Sequence, residues 1–209
     1  MHLFKRSVVA DLGIFHPTDL TVEDAQYVSR LNTPFRLRTL KQKDLTDVAA
    51  LLSYCFYPQE GWKSWFNPLM QMGISHDLQS RYSVRTMPYT SLIGAQIVHR
   101  STPKLIGTVE VALKSLSPWM PFSPGVPYIS NLAVLPQSRR QGVGKQLLFA
   151  CEELVRQWEY NRIYLHVLDD NTPARRLYAK AGYYRVDSPV HWSGLLFGQS
   201  NRLLLCKSL

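Results

Sequence analysis

A glycine-containing loop joins an apolar strand to an amphipathic helix in the second half of the chain. The segment NLAVLPQSRRQGVGKQLL, residues 131–148, carries two adjacent arginines and then two glycines one residue apart. Glycine lets the backbone approach a ligand closely, and the first N–H groups of a helix have no acceptor within that helix. With the helix dipole, such amides bind a pyrophosphate. The loop therefore predicts an α/β unit with a phosphate site at its helix start. The alternative is a glycine-containing turn that only starts a surface helix.

The segments on either side of the loop follow two different periods. Residues 128–134, YISNLAV, are apolar on both faces, which is typical of a central strand. Apolar residues at helical spacing predict a helix over 142–158. Its apolar face is predicted to hold Val143, Leu147, Cys151, Leu154, Val155 and Trp158. Outside that face we expect Lys145, Glu152, Glu153 and Arg156.

The remaining elements alternate along the chain. Strands are predicted at 35–40, 91–100, 104–114, 162–167, 183–186 and 201–209, and helices at 43–56 and 171–182. The strands 91–100 and 104–114 should form an antiparallel pair. The last helix has Asn171 or Thr172 as its N-cap, Pro173 in its first turn and Gly182 at its end. This order predicts an α/β or α+β fold.

The domain organisation is predicted to be simple. Residues 1–33 show no long period and read as an N-terminal extension, and residues 34–209 form one domain. Within it, residues 57–90 are expected to hold one or two short helices. Residues 115–127 form a loop rich in proline and aromatic side chains.

Charge and composition narrow the classes of partner. The chain has 24 lysines and arginines against 15 acidic residues, a net charge of +9. A basic chain favours an anionic partner: a nucleic acid, a membrane surface or an anionic cofactor. The basic residues are dispersed and no nucleic-acid-binding motif is present, which argues against nucleic acid. No apolar run is long enough to span a membrane and no cleavable leader is visible. We therefore expect a cytoplasmic protein, or one of the plastid stroma if it is plastid-encoded.

Cysteines and histidines do not suggest a metal. The three cysteines lie far apart in apolar runs, so we expect reduced thiols in the core. The six histidines are scattered along the chain. The sequence therefore predicts no metal site.

Three phosphate-binding patterns compete for the loop. The P-loop pattern fails because Gln146 stands where a serine or threonine is needed. The dinucleotide pattern fails because Leu147 occupies the place of its third glycine. The pattern Arg/Gln-x-x-Gly-x-Gly/Ala is met by Arg139, Gly142 and Gly144.

Residues 128–186 resemble the GNAT superfamily of acetyl-CoA-dependent N-acetyltransferases. That family shows an apolar strand with LAV and a proline, RRxGxG opening a helix, a further strand, and then NxxAxxLYxxxGF. The last element appears here as Asn171, Ala174, Leu177, Tyr178, Gly182 and Tyr183, with Tyr183 in place of phenylalanine. The segment 128–148 looks most like the cyanobacterial and plastid-type branch. The resemblance implies a mixed, mainly antiparallel central sheet flanked by helices. Acetyl-CoA would bind between two splayed parallel strands.

The resemblance also implies roles for individual residues. The strand backbone at Leu132, Ala133 and Val134 would pair with the pantetheine arm, and its N–H groups would polarise the carbonyl. The pyrophosphate would be held by the loop residues Arg139, Arg140, Gln141, Gly142, Val143, Gly144 and Lys145. The cofactor arm would be bonded by Asn171, with Thr172 and Pro173 beside it.

Tyr178 matches the family tyrosine that donates a proton to the leaving thiolate. A free phenol has a pKa of about 10, so it is protonated at neutral pH. The alternative is that Tyr178 only extends the apolar stripe of its helix, together with Ala174, Leu177 and Ala181.

The usual general base is missing. Many family members carry a glutamate on the strand before the glycine loop, where this chain has Ser130 or Asn131. Neither side chain accepts a proton at neutral pH, so the candidates are Glu110, His166, His191 or a chain of water molecules.

The predicted function is transfer of an acetyl group from acetyl-CoA to a primary amine. The acceptor is expected to be a protein N-terminal α-amine and/or a lysine ε-amine, because the basic chain repels polycations. A non-catalytic acetyl-CoA sensor and a small-molecule amine acetyltransferase are the alternatives.

Overall fold

A computed structural model describes residues 35–56, 72–74, 76–78, 80, 89–97, 103–115, 125–186 and 202–209. The predicted extension 1–33, most of the 57–90 segment, most of the 115–127 loop and His191 lie outside these ranges.

Strands and helices alternate in the predicted order. The helices are α1 (Leu45–Phe56), α2 (Val143–Gln157) and α3 (Thr172–Lys180). The strands are β1 (Phe35–Thr39), β2 (Thr90–Ile97), β3 (Lys104–Lys114), β4 (Val126–Val134), β5 (Arg162–Leu168), β6 (Tyr184–Arg185) and β7 (Arg202–Ser208). Several predicted ends differ by one to three residues: a 3-10 turn at Gln42–Asp44 precedes α1, and β4 begins at Val126 rather than at residue 128.

All these strands form one sheet in the order β1-β2-β3-β4-β5-β7-β6. Neighbours are antiparallel except β4 and β5, which are parallel. The predicted mixed, mainly antiparallel sheet is therefore confirmed, with β4 at its centre. A parallel pair needs a crossover connection, and α2 supplies it.

Helices cover both faces of this sheet. Helix α1 packs over β3 and β4 on one face, and α2 packs over β2, β3 and β4 on the other. Gly107 of β3 lies directly against the start of α2. A Cβ atom at Gly107 would lie 3.0 Å from Cγ1 of Val143 and 3.1 Å from the carbonyl oxygen of Ala133. The absence of a side chain thus lets α2 rest directly on the sheet, which sets the position of the loop before it.

We expect Gly107→Ala to destabilise the fold. The added methyl must displace either the β4 backbone or the start of α2, and such overpacking costs about 1–3 kcal/mol. For a chain of this size that lowers Tm by about 2–4 °C per kcal/mol. Thermal unfolding followed by circular dichroism measures the shift. The matched control is Gly73→Ala, because a Cβ at Gly73 meets nothing within 4 Å. Equal Tm values for both variants would contradict the close packing at Gly107.

One prediction for the α2 surface is wrong. Glu152 was expected outside the apolar face, yet it is only 3% exposed. Its Oε2 accepts a hydrogen bond from Nζ of Lys207 on β7 at 2.6 Å. The buried carboxylate is tolerated because this cation from a distant strand pairs with it.

The cysteines behave as predicted. Cys151 and Cys206 are buried free thiols, and Cys55 is a free, partly buried thiol. Among the described helices, none has the length and apolar character needed to cross a membrane.

Candidate active site

Strands β4 and β5 separate soon after they meet. Their parallel pairing consists of Tyr128 opposite Tyr164 and Ile129 opposite Leu165. Beyond Ile129, β4 continues to Val134 without pairing to β5. The β5-facing backbone edge of residues 130–134, which includes Leu132, Ala133 and Val134, therefore has no strand partner in the part of the chain that the structure describes. An extended chain bearing amide groups could pair with that edge as a further strand would.

A bulge in β4 lies where the two strands diverge. Thr108 pairs with Ala133 and Glu110 with Ser130, so two β4 residues, Asn131 and Leu132, lie opposite one residue of β3. Asn131 has a φ of 54°, which is left-handed backbone. Such a bulge leaves N–H groups outside the ladder and redirects the strand. The Nδ2 of Asn131 donates to Oε2 of Glu110 at 2.7 Å, which fixes the bulge to the neighbouring strand.

The glycine loop leads into α2 through two residues with positive φ. Arg140 has a φ of 64° and Gly142, the N-cap of α2, a φ of 83°. The first amides of α2, those of Val143, Gly144 and Lys145, have no acceptor within the helix. A Cβ atom at Gly142 would meet nothing within 4 Å. The loop thus presents amides to open space, with two exposed cations, Arg140 and Lys145, beside it.

Three loop residues also have structural roles. Nε of Arg139 donates to the carbonyl of Val134 at 3.0 Å, and Nε2 of Gln141 donates to the carbonyl of Gln137 at 3.1 Å. These bonds hold the loop against the end of β4. Gly144 lies against α3, because a Cβ there would be 3.1 Å from Cδ2 of Leu177.

Helix α3 begins beside the end of β5. Asn171 is its N-cap, with Oδ1 accepting from the amide of Ala174 at 3.2 Å, and Pro173 lies in the first turn as predicted. Gly182 follows the helix with a φ of 89°. Asn171, Thr172 and Pro173 are exposed at this end of the sheet.

Tyr178 projects from α3 into the interior and is 7% exposed. Burial, with a contribution from the nearby Tyr128 phenol, raises the pKa of Tyr178 to about 12. The phenol therefore stays protonated over the whole physiological range. Its ring makes an edge contact with Tyr183, with centroids 5.9 Å apart.

Tyr183 packs behind Tyr178, in the position where the resemblance leads one to expect phenylalanine. Among the described residues, its buried hydroxyl has no hydrogen-bond partner. Burial and the Glu152 carboxylate raise the pKa of Tyr183. Nζ of Lys207 lies 5.7 Å from its ring centroid. The ring of Tyr183 therefore packs against Tyr178 as a phenylalanine would, and its hydroxyl stays neutral.

A second polar group lies on the opposite face of the sheet. The hydroxyl of Tyr128 on β4 and Nδ1 of His166 on β5 are 2.8 Å apart. Nζ of Lys114 donates to Oγ of Ser130 at 3.0 Å and lies 5.2 Å from the Tyr128 ring centroid. This Tyr128–His166 pair bridges the two strands where they begin to diverge.

The candidate bases differ in their access to water. Glu110 is 2% exposed, whereas His166 is partly exposed. Burial and then the charge of Arg202 lower the pKa of His166 below its ordinary value of about 6.5. His166 is therefore neutral at neutral pH. Ser130 and Asn131, at the usual place of the base, are occupied by their bonds to Lys114 and Glu110. The described residues contain no cluster of acidic, histidine or cysteine side chains able to hold a metal.

Comparison with known families settles the classification. Residues 61–183 match the model of the acetyltransferase (GNAT) family. The chain belongs to this family. The predicted resemblance and fold are thereby confirmed, and the splayed strands, the glycine loop and Tyr178 all lie within the matched GNAT region.

Curated relatives include chloroplast proteins. "GCN5-related N-acetyltransferase 10, chloroplastic" of Arabidopsis thaliana is 30% identical over 135 residues, which cover 60% of this chain and 53% of that protein. The chain thus spans about half the length of this relative, and less of other chloroplastic relatives from the same plant.

Solved structures share the fold at low sequence identity. The PaiA N-acetyltransferase of Thermoplasma acidophilum in complex with coenzyme A aligns with a TM-score of 0.57 and 16% identity, covering 84% of this chain and 99% of that one. The ribosomal-protein-S18-alanine N-acetyltransferase of Escherichia coli aligns with a TM-score of 0.56 and 14% identity, covering 83% and 93%.

The sequence did not predict one residue of the candidate site in this GNAT protein. Tyr128 was assigned only to the apolar strand, because a tyrosine in such a run is typical of packing. The one signal was its alternation with Ser130, which places both side chains on one face of β4. That face becomes a polar site only through partners on β3 and β5.

Proposed function

We propose that the chain catalyses transfer of the acetyl group of acetyl-CoA to a primary amine, at a protein N-terminus and/or at lysine. The observation that carries the proposal is the opening between β4 and β5. It has an unpaired strand edge on one side, the glycine loop at one end and the buried phenol of Tyr178 beside it.

The residues present fit coenzyme A. The unpaired edge at Leu132, Ala133 and Val134 can pair with the two amide groups of the pantetheine arm. The pyrophosphate fits the open space at Gly142, where amides, the helix dipole and the cations Arg140 and Lys145 favour negative charge. Acetyl-CoA supplies the thioester that is attacked.

The chain's own groups then act on the developing charges. N–H groups of the β4 bulge lie outside the ladder and can stabilise the oxyanion that forms on the thioester carbonyl. Tyr178 can give its proton to the departing thiolate, since its pKa of about 12 keeps the proton available.

The charge around the opening favours a peptide over a polyamine. Lys114 and Arg202 lie beside the Tyr128–His166 pair, and the same face of the sheet also carries Arg162. In the described strands the carboxylate is Glu110, which is buried and bonded to Asn131. Polycations are therefore repelled, whereas a peptide carries one reacting amine on an otherwise neutral or acidic chain. An α-amine has a pKa near 8, against about 10.4 for lysine, so it reaches the neutral form more easily.

An acceptor comparison tests this proposal. Initial rates are measured with acetyl-CoA and each of three acceptors: a peptide with a free N-terminus and no lysine, an N-terminally blocked peptide with one lysine, and spermidine. We expect the free N-terminus to react fastest at neutral pH and spermidine slowest. A clear preference for spermidine would contradict the peptide assignment.

A further inference from the structure

We propose that Tyr128 is the group that takes the proton from the acceptor amine, and that it passes its own hydroxyl proton to Nδ1 of His166. This inference rests on the proposed function, because it assigns the missing base of that same site.

The placement of Tyr128 supports this role. Strands β4 and β5 pair at two positions before they separate, and Tyr128 belongs to the first of these, opposite Tyr164. Its phenol is close enough to that of Tyr178 to raise the pKa of Tyr178, although the two residues belong to opposite faces of the sheet. The register puts Tyr128 on the α1 face of the sheet, whereas Tyr178 comes from α3 on the other face, so we place the two phenols on either side of the opening. An amine that approaches the thioester from the α1 side meets Tyr128.

The direction of the relay follows from the chemistry of His166. A neutral imidazole whose Nδ1 accepts from Tyr128 carries its proton on Nε2. It can therefore take a proton only through the Tyr128 hydroxyl. Burial and Arg202 keep His166 neutral between turnovers. Burial raises the pKa of Tyr128, so its oxygen does not hold a negative charge and the two protons must move together. Because His166 is partly exposed, the proton on Nε2 can then leave to water.

The protons balance over one turnover. The neutral amine attacks the thioester carbon, and the new C–N bond leaves a positive charge on nitrogen. The Tyr128 oxygen takes that proton as its own proton moves to Nδ1 of His166. The C–S bond then breaks, and the thiolate takes the Tyr178 proton. His166 releases its Nε2 proton to water, which leaves the imidazole protonated on Nδ1. Before the next turnover, Nε2 takes a proton from water, the Nδ1 proton returns to the Tyr128 oxygen, and the Tyr128 hydroxyl gives its own proton to water in the opening. Tyr178 recovers one proton from water. The products are the amide and coenzyme A with a free thiol.

Glu110 is the rival base. Its carboxylate accepts from Asn131, and its side chain is 2% exposed. Glu110 is thus shielded from water, whereas His166 is partly exposed, so the relay through His166 has the more direct path for the proton to water. Charged and titratable neighbours of the Tyr128–His166 pair are Lys114 on β3, Arg202 on β7, Tyr164 on β5 and Tyr178 on α3.

A double-mutant cycle with peptide as acceptor tests the relay. We expect Tyr128→Phe and His166→Gln each to lower kcat by about 100-fold, the lower end of the range for general acid–base groups. The double variant should be no slower than the slower single variant, because the two residues act as a unit. The affinity for acetyl-CoA should stay unchanged. Tyr184→Phe and His76→Gln, at exposed positions, are the controls and should stay within about twofold of wild type.

The pH profile separates a proton relay from a packing effect. In the wild type, kcat at saturating substrate should fall below a pKa that is lower than the ordinary histidine value of about 6.5. This acid limb should be absent in His166→Gln and retained in Glu110→Gln. Multiplicative losses in the double variant, a wild-type kcat for Tyr128→Phe, or an acid limb lost only in Glu110→Gln would each overturn the relay. If Tyr128→Phe does not fold, the profile of His166→Gln decides alone. A wild-type protein without turnover would instead contradict the proposed function itself.

Discussion

Tyr178→Phe should lower kcat about 100-fold and leave the affinity for acetyl-CoA nearly unchanged. The substitution keeps the ring, and therefore its edge contact with Tyr183 and its place in the core. It removes only the proton donor for the thiolate. Steady-state kinetics with a peptide acceptor, together with calorimetry of acetyl-CoA binding, measure the two quantities separately.

The pH dependence gives a second test of the same residue. The phenol donates only while it is protonated, and its pKa of about 12 keeps it protonated well into the alkaline range. In the wild type, loss of the Tyr178 proton should therefore not reduce kcat below about pH 10. Tyr184→Phe, which removes an exposed hydroxyl on β6, should retain full activity. A Tyr178→Phe variant as active as that control would show that solvent protonates the thiolate.

Gly142→Val should weaken acetyl-CoA binding by about 10- to 100-fold. A side chain at this position enters the open space beside the first amides of α2 and should displace the pyrophosphate from at least one of them. A hydrogen bond to a charged group contributes about 1.5–3 kcal/mol, and about 1.4 kcal/mol corresponds to a tenfold change in Kd. Isothermal titration calorimetry measures the affinity.

Backbone strain at Gly142 needs its own control. Its φ of 83° strains a valine, whereas asparagine tolerates left-handed backbone. The Tm of Gly142→Asn should therefore be closer to that of the wild type than the Tm of Gly142→Val is. Its affinity for acetyl-CoA should still be lower than that of the wild type. Gly73→Val, at a helical position with open space, should bind acetyl-CoA normally. If a folded Gly142→Asn variant bound acetyl-CoA with wild-type affinity, the pyrophosphate would not bind at this loop.

Local signals in the sequence predicted the elements that surround the candidate site. The buried run 128–134, the helical period after Gly142 and the cap at Asn171 each depend on neighbours a few residues away, and the structure has all three. Tyr178 is buried on the apolar stripe of its helix, which local spacing could show, whereas its role as proton donor stays a prediction.

Long-range contacts were the part that could not be predicted. Glu152 reads as a solvated helix residue until Lys207, 55 positions later, is placed beside it on β7. The Tyr128–His166 bond joins residues 38 positions apart and depends on the point at which β4 and β5 separate. Such contacts arise from strand order and register, which local periodicity does not encode.

Release of the coenzyme A thiol by the wild-type protein is the most direct test of the central claim, which is catalysis of N-acetylation. Thiol formation from acetyl-CoA is followed with and without a peptide that has a free N-terminus, and the peptide mass is measured in parallel. We expect thiol release to depend on the peptide, with one acetyl group gained per thiol formed. Tight binding of acetyl-CoA with no peptide-dependent thiol release from any acceptor would contradict catalysis and leave a protein that only senses acetyl-CoA.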